Sequence, residues 1–202
     1  MPRQARKQIL APATLYHIVC RGNNQKRIFR SVKDYNQFLK ILKKVKADIP
    51  FYLYSYSLLP NHYHLEVESR ETPISKVMHH LNFLYARYFH HRYHTSGHLF
   101  QGRFYSNVID KDSYFWEVSR YINLNAFRAG LIKKPEDYKW SSYPLYYKNH
   151  KNQGDDYLVD KERFLKYHGD DLERSRLLYL RFVEQGVAET RKPDFILDKN
   201  MV

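Results

Sequence analysis

The clearest pattern along the chain is an alternation of polar and apolar side chains over residues 62–68. Successive side chains of a β-strand point to opposite faces, so the pattern predicts a strand with one polar and one apolar face. The apolar face carries Tyr63, Leu65 and Val67, which a sheet buries against helices. The polar face carries His62, His64, Glu66 and Glu68. Two imidazoles side by side on a rigid strand have the geometry to bind one metal ion, but a solvent-facing polar side explains the same pattern.

The flanking segments complete a regular order of strands and helices. Residues rich in β-forming side chains predict strands over 14–20, 51–59 and 104–109, and Pro60-Asn61 turns one of them into the histidine strand. Apolar residues at helical spacing predict helices over 31–47 and 72–91, the first opened by a capping box of Ser31 and Asp34. The order β-α-β-β-α-β predicts an α+β fold of the ferredoxin-like type, an antiparallel sheet with helices on one face. We expect the histidine strand in or next to the centre, with its polar face open for a ligand.

A third helix is predicted after the fourth strand, capped by Asp112 or Ser113 and ending near Gly130. Tyr121, Asn125 and Arg128 are spaced i, i+4 and i+7 on it, so they share one face. That face could be functional, and a half-buried packing role explains Tyr121 equally well.

The remaining chain predicts a smaller C-terminal part. Residues 132–147 indicate an ordered, aromatic-rich strap, and residues 148–156 a polar linker. Two short helices are predicted over 160–168 and 170–185, and frayed residues at the end. We therefore divide the chain into a domain of residues 1–147 and a linker with a helical extension, residues 148–202.

Composition adds a nucleic-acid partner. The 202 residues carry a net charge of +13, and the basic residues are spread along the chain, which is typical of a folded protein that binds a phosphate backbone. Aromatic residues make up 16%, with 19 tyrosines that suit packing and base stacking alike. The single Cys20 excludes a disulfide framework. Without a signal peptide or a long apolar run, we expect a cytoplasmic protein without a membrane partner.

Six short blocks occur in an order that resembles a known family. They are Tyr16–Asn24, Leu59–His64, Gly97–Phe104, Arg120–Asn125, Arg128–Leu131 and Trp140–Tyr143. Together they resemble the REP-associated tyrosine transposases, within the single-tyrosine HUH transposases of bacterial insertion sequences. The resemblance covers residues 14 to about 147. One departure is Ala126-Phe127, where the family usually has a proline after the asparagine, so the position of Asn125 is less restrained here.

The resemblance implies metal-dependent cleavage and strand transfer of single-stranded DNA through a covalent 5′-phosphotyrosine. The expected substrate is a hairpin of palindromic extragenic repeats. Tyr121 matches the family's nucleophile, and His62, His64 and Asn125 match its ligands for a divalent ion, either Mg or Mn. No nucleotide cofactor is expected, because the phosphotyrosine keeps the bond energy for rejoining. Either a monomer or a homodimer fits.

Loops rich in arginine and asparagine supply hydrogen-bond donors to DNA backbone and bases. We therefore expect DNA contacts from Arg21, Asn23, Asn24, Arg103 and Arg128, although the loop residues could equally be turn residues with solvated side chains.

Three other interpretations stay open at this point. The protein could be a non-catalytic single-stranded DNA or RNA binder that stacks bases on Tyr52, Tyr54 and Tyr56. It could be a hydrolytic metallo-nuclease in which Tyr121 is structural. It could also be a domesticated relative that acts on host DNA.

Overall fold

The structure is a computed structural model that describes residues 13–109, 114–148 and 158–190. Four strands are present in these ranges: β1 (Leu15–Arg21), β2 (Phe51–Leu59), β3 (His62–Ser69) and β4 (Tyr105–Val108). The α-helices are α1 (Val32–Asp48), α2 (Ile74–Tyr93), α3 (Phe115–Arg128), α4 (Tyr143–Tyr147), α5 (Lys161–Lys166) and α6 (Leu172–Thr190). Within these residues no helix is both long and apolar enough to cross a membrane.

The sheet has the strand order β2-β3-β1-β4, and every neighbouring pair is antiparallel. This order confirms the ferredoxin-like prediction and the central position of the histidine strand β3. The predicted hairpin is also present, because Leu59 pairs with His62 across the turn at Pro60-Asn61. The carbonyl of Pro60 accepts hydrogen bonds from the backbone N–H groups of Ile28 and Phe29, which fixes the entry to α1 at this end of the sheet.

The apolar face of β3 is covered by α1 and α2. Tyr63, Leu65 and Val67 are all buried in the core. The capping box at the start of α1 is formed as predicted, with the Asp34 carboxylate accepting from the Ser31 backbone N–H at 2.8 Å. The same buried carboxylate accepts hydrogen bonds from two tyrosines of α2, Tyr88 and Tyr93. One carboxylate therefore ties the start of α1 to the end of α2.

The polar face of β3 is not open, and that prediction was wrong. The third helix α3 packs on β2 and β3 across this face, so the sheet has helices on both sides. The physical reason is that α3 has its own apolar side, with Phe115, Ile122 and Leu124 buried. The polar strand residues find partners under it, since Ser55 Oγ donates to Glu66 Oε2 at 2.8 Å and the Tyr54 hydroxyl donates to Glu68.

The C-terminal part packs against α3 and contributes to the same core. Both predicted C-terminal helices are present, and α6 extends to Thr190, past the predicted end at residue 185. Its Tyr179 hydroxyl is hydrogen-bonded to Ser119 Oγ and to Asn123 Nδ2 of α3, both at 2.8 Å. At Gly186 the two helices are so close that a Cβ would lie 2.8 Å from Leu124 Cδ1. Close packing of α6 therefore holds the helix that carries Tyr121.

Three predictions fall wholly or mostly outside the described residues: the cap of α3 at Asp112 or Ser113, the linker 148–156 and the frayed end. The domain boundary at residue 147 stays a prediction. Residues on both sides of it belong to one hydrophobic core, which includes Phe164, Tyr179 and Val183. The predicted strap runs beside β2, where the Trp140 carbonyl accepts from the Leu58 backbone N–H at 2.9 Å.

Candidate active site

Two strands and one helix bring the candidate residues together. In the β1–β3 ladder Arg21 is opposite His62, and Val19 is opposite His64. Residues opposite each other in a ladder share a face, and side chains alternate along a strand, so His17, Arg21, His62 and His64 share the face covered by α3. The helix then places Tyr121 and Asn125 against this group.

His64 lies at the centre of the site, and both of its ring nitrogens have partners. Its Nε2 is 3.1 Å from Asn125 Nδ2, and its Nδ1 is 3.0 Å from His17 Nε2. If the Asn125 amide donates to Nε2, the proton of His64 must be on Nδ1 and is donated to His17. Burial, together with the nearby His17, His62 and Arg21, holds the pKa of His64 well below its usual range. The ring is therefore neutral at physiological pH, as a metal ligand must be.

His62 has the same tautomer for a different reason. Its Nδ1 is 2.7 Å from the side-chain oxygen of Asn61, which can only accept, so the proton lies on Nδ1. Its Nε2 therefore carries a lone pair. Burial, helped by the charge of Arg21, lowers the pKa of His62 to about 4.

These donors fit a small divalent ion. Neighbouring ligands at about 2.1 Å from an octahedral ion lie about 3 Å apart. The 3.1 Å between His64 Nε2 and the Asn125 amide nitrogen matches this spacing, and rotation of the amide would present its oxygen instead. In the described part of the chain, no group of three or more His, Cys, Asp or Glu residues could hold a metal. The Asn125 amide, which lies beside His64, is the candidate for a third protein ligand.

Tyr121 is half-buried, with its ring edge-on to two imidazoles. The ring centroids of His17 and His64 lie 5.7 and 5.8 Å from that of Tyr121. The Arg128 guanidinium is 5.6 Å from the same ring, which confirms that Tyr121, Asn125 and Arg128 share a face. Burial raises the pKa of Tyr121, while a hydrogen bond from Asn125 and the charges of Arg128 and Arg21 act against this rise. The two arginines thus favour the phenolate, but burial outweighs them and the pKa stays above its usual value.

The predicted DNA-contact residues of the loops meet at one rim beside His62. Backbone hydrogen bonds of 2.8 Å join Gly22 to Asn61, Gln101 to Arg21 and Asn23 to Leu99. The turn is tight at Gly22, where a Cβ would lie 2.1 Å from the Lys26 carbonyl oxygen. The side chains of Asn24 and Arg103 are exposed there, and Asn23 is partly exposed. Arg128 is placed differently, on α3, with its Nε 3.5 Å from Thr190 Oγ1 of α6.

Sequence reasoning missed the role of His17 and the burial of Glu66. His17 orients His64, and its own alternation along β1 could have placed it on the histidine face. Glu66 was placed on the correct face, but its complete burial was not expected. Burial raises the pKa of Glu66 to about 8, against the opposing hydrogen bonds of Ser55 and Ser119. Glu66 is therefore one of the buried polar side chains between β3 and α3.

Comparisons with known proteins show the family and the fold of the chain. The sequence matches the family of IS200-like transposases over residues 12–125. Eight solved chains match the structure, among them a REP-associated tyrosine transposase bound to a REP hairpin. That protein is 18% identical, with a TM-score of 0.61, and the match covers 77% of this chain and 93% of the other. A likeness at this identity shows a shared fold. No curated protein matches the sequence.

Proposed function

The chain belongs to the IS200-like transposase family, and on that premise we propose that it cleaves and rejoins single-stranded DNA through a covalent bond to Tyr121. One observation supports this proposal most strongly. A single chain brings the tyrosine ring within 5.8 Å of the His64 ring, whose Nε2 is 3.1 Å from Asn125. The proposed nucleophile, the two imidazoles and the proposed amide ligand are therefore grouped on two neighbouring elements, β3 and α3.

In the cleavage step, the Tyr121 oxygen attacks a backbone phosphorus as the hydroxyl loses its proton. The bond from phosphorus to the 3′ oxygen breaks, which leaves a free 3′-OH and a 5′-phosphotyrosine. In the joining step, a 3′-OH attacks the same phosphorus and the tyrosine oxygen leaves. The number of phosphoester bonds is unchanged in each step, so no nucleotide is consumed.

His62, His64 and Asn125 would hold the divalent ion, with oxygens of water or phosphate completing its shell. When bound, such an ion polarises the phosphate and stabilises the charge that develops on the leaving 3′ oxygen. Either Mg or Mn is chemically suitable, and the two imidazoles favour Mn. His17 positions His64 for this role through the 3.0 Å contact between their rings.

We propose a DNA hairpin with single-stranded flanks as the substrate. The related REP-associated transposase is bound to a REP hairpin, and it shares this chain's fold over most of its length. The rim formed by Arg21, Asn23, Asn24 and Arg103 lies beside His62, where it could contact the flank next to the cleaved phosphate.

A denaturing gel tests the proposal. The protein is mixed with Mn and a hairpin labelled on the 3′ side of the expected cleavage region, and Tyr121→Phe is run alongside. A labelled protein–DNA band is expected for the wild type and not for the variant, because phenylalanine has no oxygen to form the bond.

Two other outcomes would each support a different function. Cleavage that persists in Tyr121→Phe without a labelled protein band would indicate a hydrolytic nuclease. Binding without cleavage, over several hairpins and both metals, would indicate a nucleic-acid-binding module. A domesticated role is compatible with the covalent mechanism and would be recognised from the DNA that the protein acts on.

A further inference from the structure

We infer that the Arg21 guanidinium binds the phosphate that Tyr121 attacks, because one of its buried nitrogens has no hydrogen-bond partner among the described residues and the DNA backbone supplies an anion. The inference rests on the proposed function and assigns a specific ligand, a phosphodiester oxygen, to one residue of the rim.

The first argument is that one guanidinium nitrogen of Arg21 lacks a hydrogen-bond acceptor in the described part of the chain. Its Nη2 is buried and finds no hydrogen-bond acceptor among the residues that the structure describes. A buried donor without a partner destabilises a fold by about 1–3 kcal/mol, and by more when it is charged. Other partly buried arginines of the chain do have a carboxylate, such as Arg120 with Glu117 and Arg176 with Glu173. Arg21 is therefore held in a position that does not serve the free protein's stability.

The second argument is that the backbone fixes this position. Arg21 is the last residue of β1 and pairs with His62. Its carbonyl accepts from Gln101, and the next residue, Gly22, donates to Asn61, both at 2.8 Å. Constraints on both sides of the residue preorganise the guanidinium before any ligand arrives.

The third argument concerns what surrounds Arg21. Opposite it on the same face is His62, a predicted metal ligand. The same face carries His17 and His64, whose ring centroids lie 5.7 and 5.8 Å from that of Tyr121. Arg21 thus lies on the face that carries the proposed ligands and the imidazoles next to the proposed nucleophile, where the attacked phosphate must also lie. A guanidinium offers two parallel N–H donors that match two oxygens of a phosphate.

The experiment measures whether the Arg21 guanidinium interacts with the charge of one particular phosphate. Methylphosphonate linkages, which are neutral, are placed one at a time along the single-stranded flank of a hairpin. Affinity is measured for Tyr121→Phe protein, which cannot cleave, and for the double variant Tyr121→Phe/Arg21→Gln. Arg87→Gln in the same background is the matched control, because Arg87 is an exposed arginine on α2 and its loss changes the net charge equally.

We expect one linkage at which neutralisation weakens binding about ten- to hundred-fold in Tyr121→Phe and in the Arg87→Gln control. In the Arg21→Gln protein the same linkage should have little effect, because the partner of that charge is gone. The linkage should coincide with the bond that the wild-type protein cleaves. Arg21→Gln alone should unfold at the same or a higher temperature than the wild type, since it removes an unpaired buried donor.

Equal losses at every linkage in the presence and absence of Arg21 would overturn the inference. So would a coupled linkage that differs from the cleaved one. A wild-type protein that shows the coupled linkage but forms no covalent product would instead contradict the proposed function and leave the phosphate contact in place.

Discussion

The two faces of the sheet are both buried, but they are built from opposite chemistry. Under α1 and α2 lie Tyr63, Leu65 and Val67, in a core of apolar side chains. Under α3 lie His64, Glu66 and Glu68, which are equally inaccessible but hydrogen-bonded. Burial of apolar side chains stabilises the first face. The second face buries polar side chains, which destabilise the fold unless they are hydrogen-bonded. The comparison indicates that the first face supports the fold, and the second carries the groups of the chemistry that we propose.

The largest effect is expected on the apolar face. Leu65→Ala should lower the free energy of unfolding by about 2–5 kcal/mol, because a fully buried leucine leaves a cavity. Urea denaturation followed by circular dichroism measures this. Leu177→Ala is the control, since Leu177 is 46% exposed and its truncation should change stability little. A similar small loss for both leucines would show that the α1–α2 face is not the main stabilising core.

A smaller effect is expected where α6 meets α3. Gly186→Leu should cost about 1–3 kcal/mol, because its side chain would collide with Leu124 and Arg120 and push the helices apart. Covalent adduct formation should fall as well, since α3 carries Tyr121. The exposed Ala188→Leu on the same helix is the control for both measurements. Normal adduct formation by a folded Gly186→Leu protein would argue against α6 as a support of the site.

A substitution on the polar face should weaken metal binding rather than lower the free energy of unfolding. His17→Phe removes the partner of His64 Nδ1 and should weaken Mn binding about 10- to 100-fold. Isothermal calorimetry measures the affinity, with His79→Phe on the exposed side of α2 as the control. An unchanged affinity in His17→Phe would mean that His64 is oriented without His17.

The last prediction concerns the wild-type protein and tests whether the apolar face opens. Cys20 is the only thiol of the chain, and burial raises its pKa to about 11 despite hydrogen bonds from Tyr63 and Asn82. A disulfide reagent at neutral pH should therefore modify the native protein far more slowly than the urea-unfolded protein. Rapid modification of the native protein would show that this side of the sheet opens readily.

The sequence predicted correctly which residues share a face of a strand or helix. It predicted less well which of these faces are covered by other elements. Strict alternation placed His62, His64 and Glu66 together, and helical spacing placed Tyr121 with Asn125 and Arg128, because both periods follow from backbone geometry. The same alternation predicted a polar face open to solvent. It could not show that α3 would cover it, since a polar strand face is buried only when distant residues such as Asn125 and Ser119 supply its partners.

The residues of the site were also predicted only in part. The resemblance to a known family, not periodicity, assigned roles to Tyr121 and the metal ligands. Neither source indicated the C-terminal support, because the contact between Tyr179 and α3 joins residues 60 positions apart. The missing acceptor of Arg21 is likewise a property of packing in three dimensions, which no local pattern contains.

The central claim is that Tyr121, among 19 tyrosines, forms the bond to DNA. The most direct measurement is mass spectrometry of the protease-digested covalent product. Our account predicts a nucleotide joined through its 5′ phosphate to the peptide that contains Tyr121, and to no other tyrosine. A nucleotide on a different residue, or an adduct that still forms in Tyr121→Phe, would contradict it.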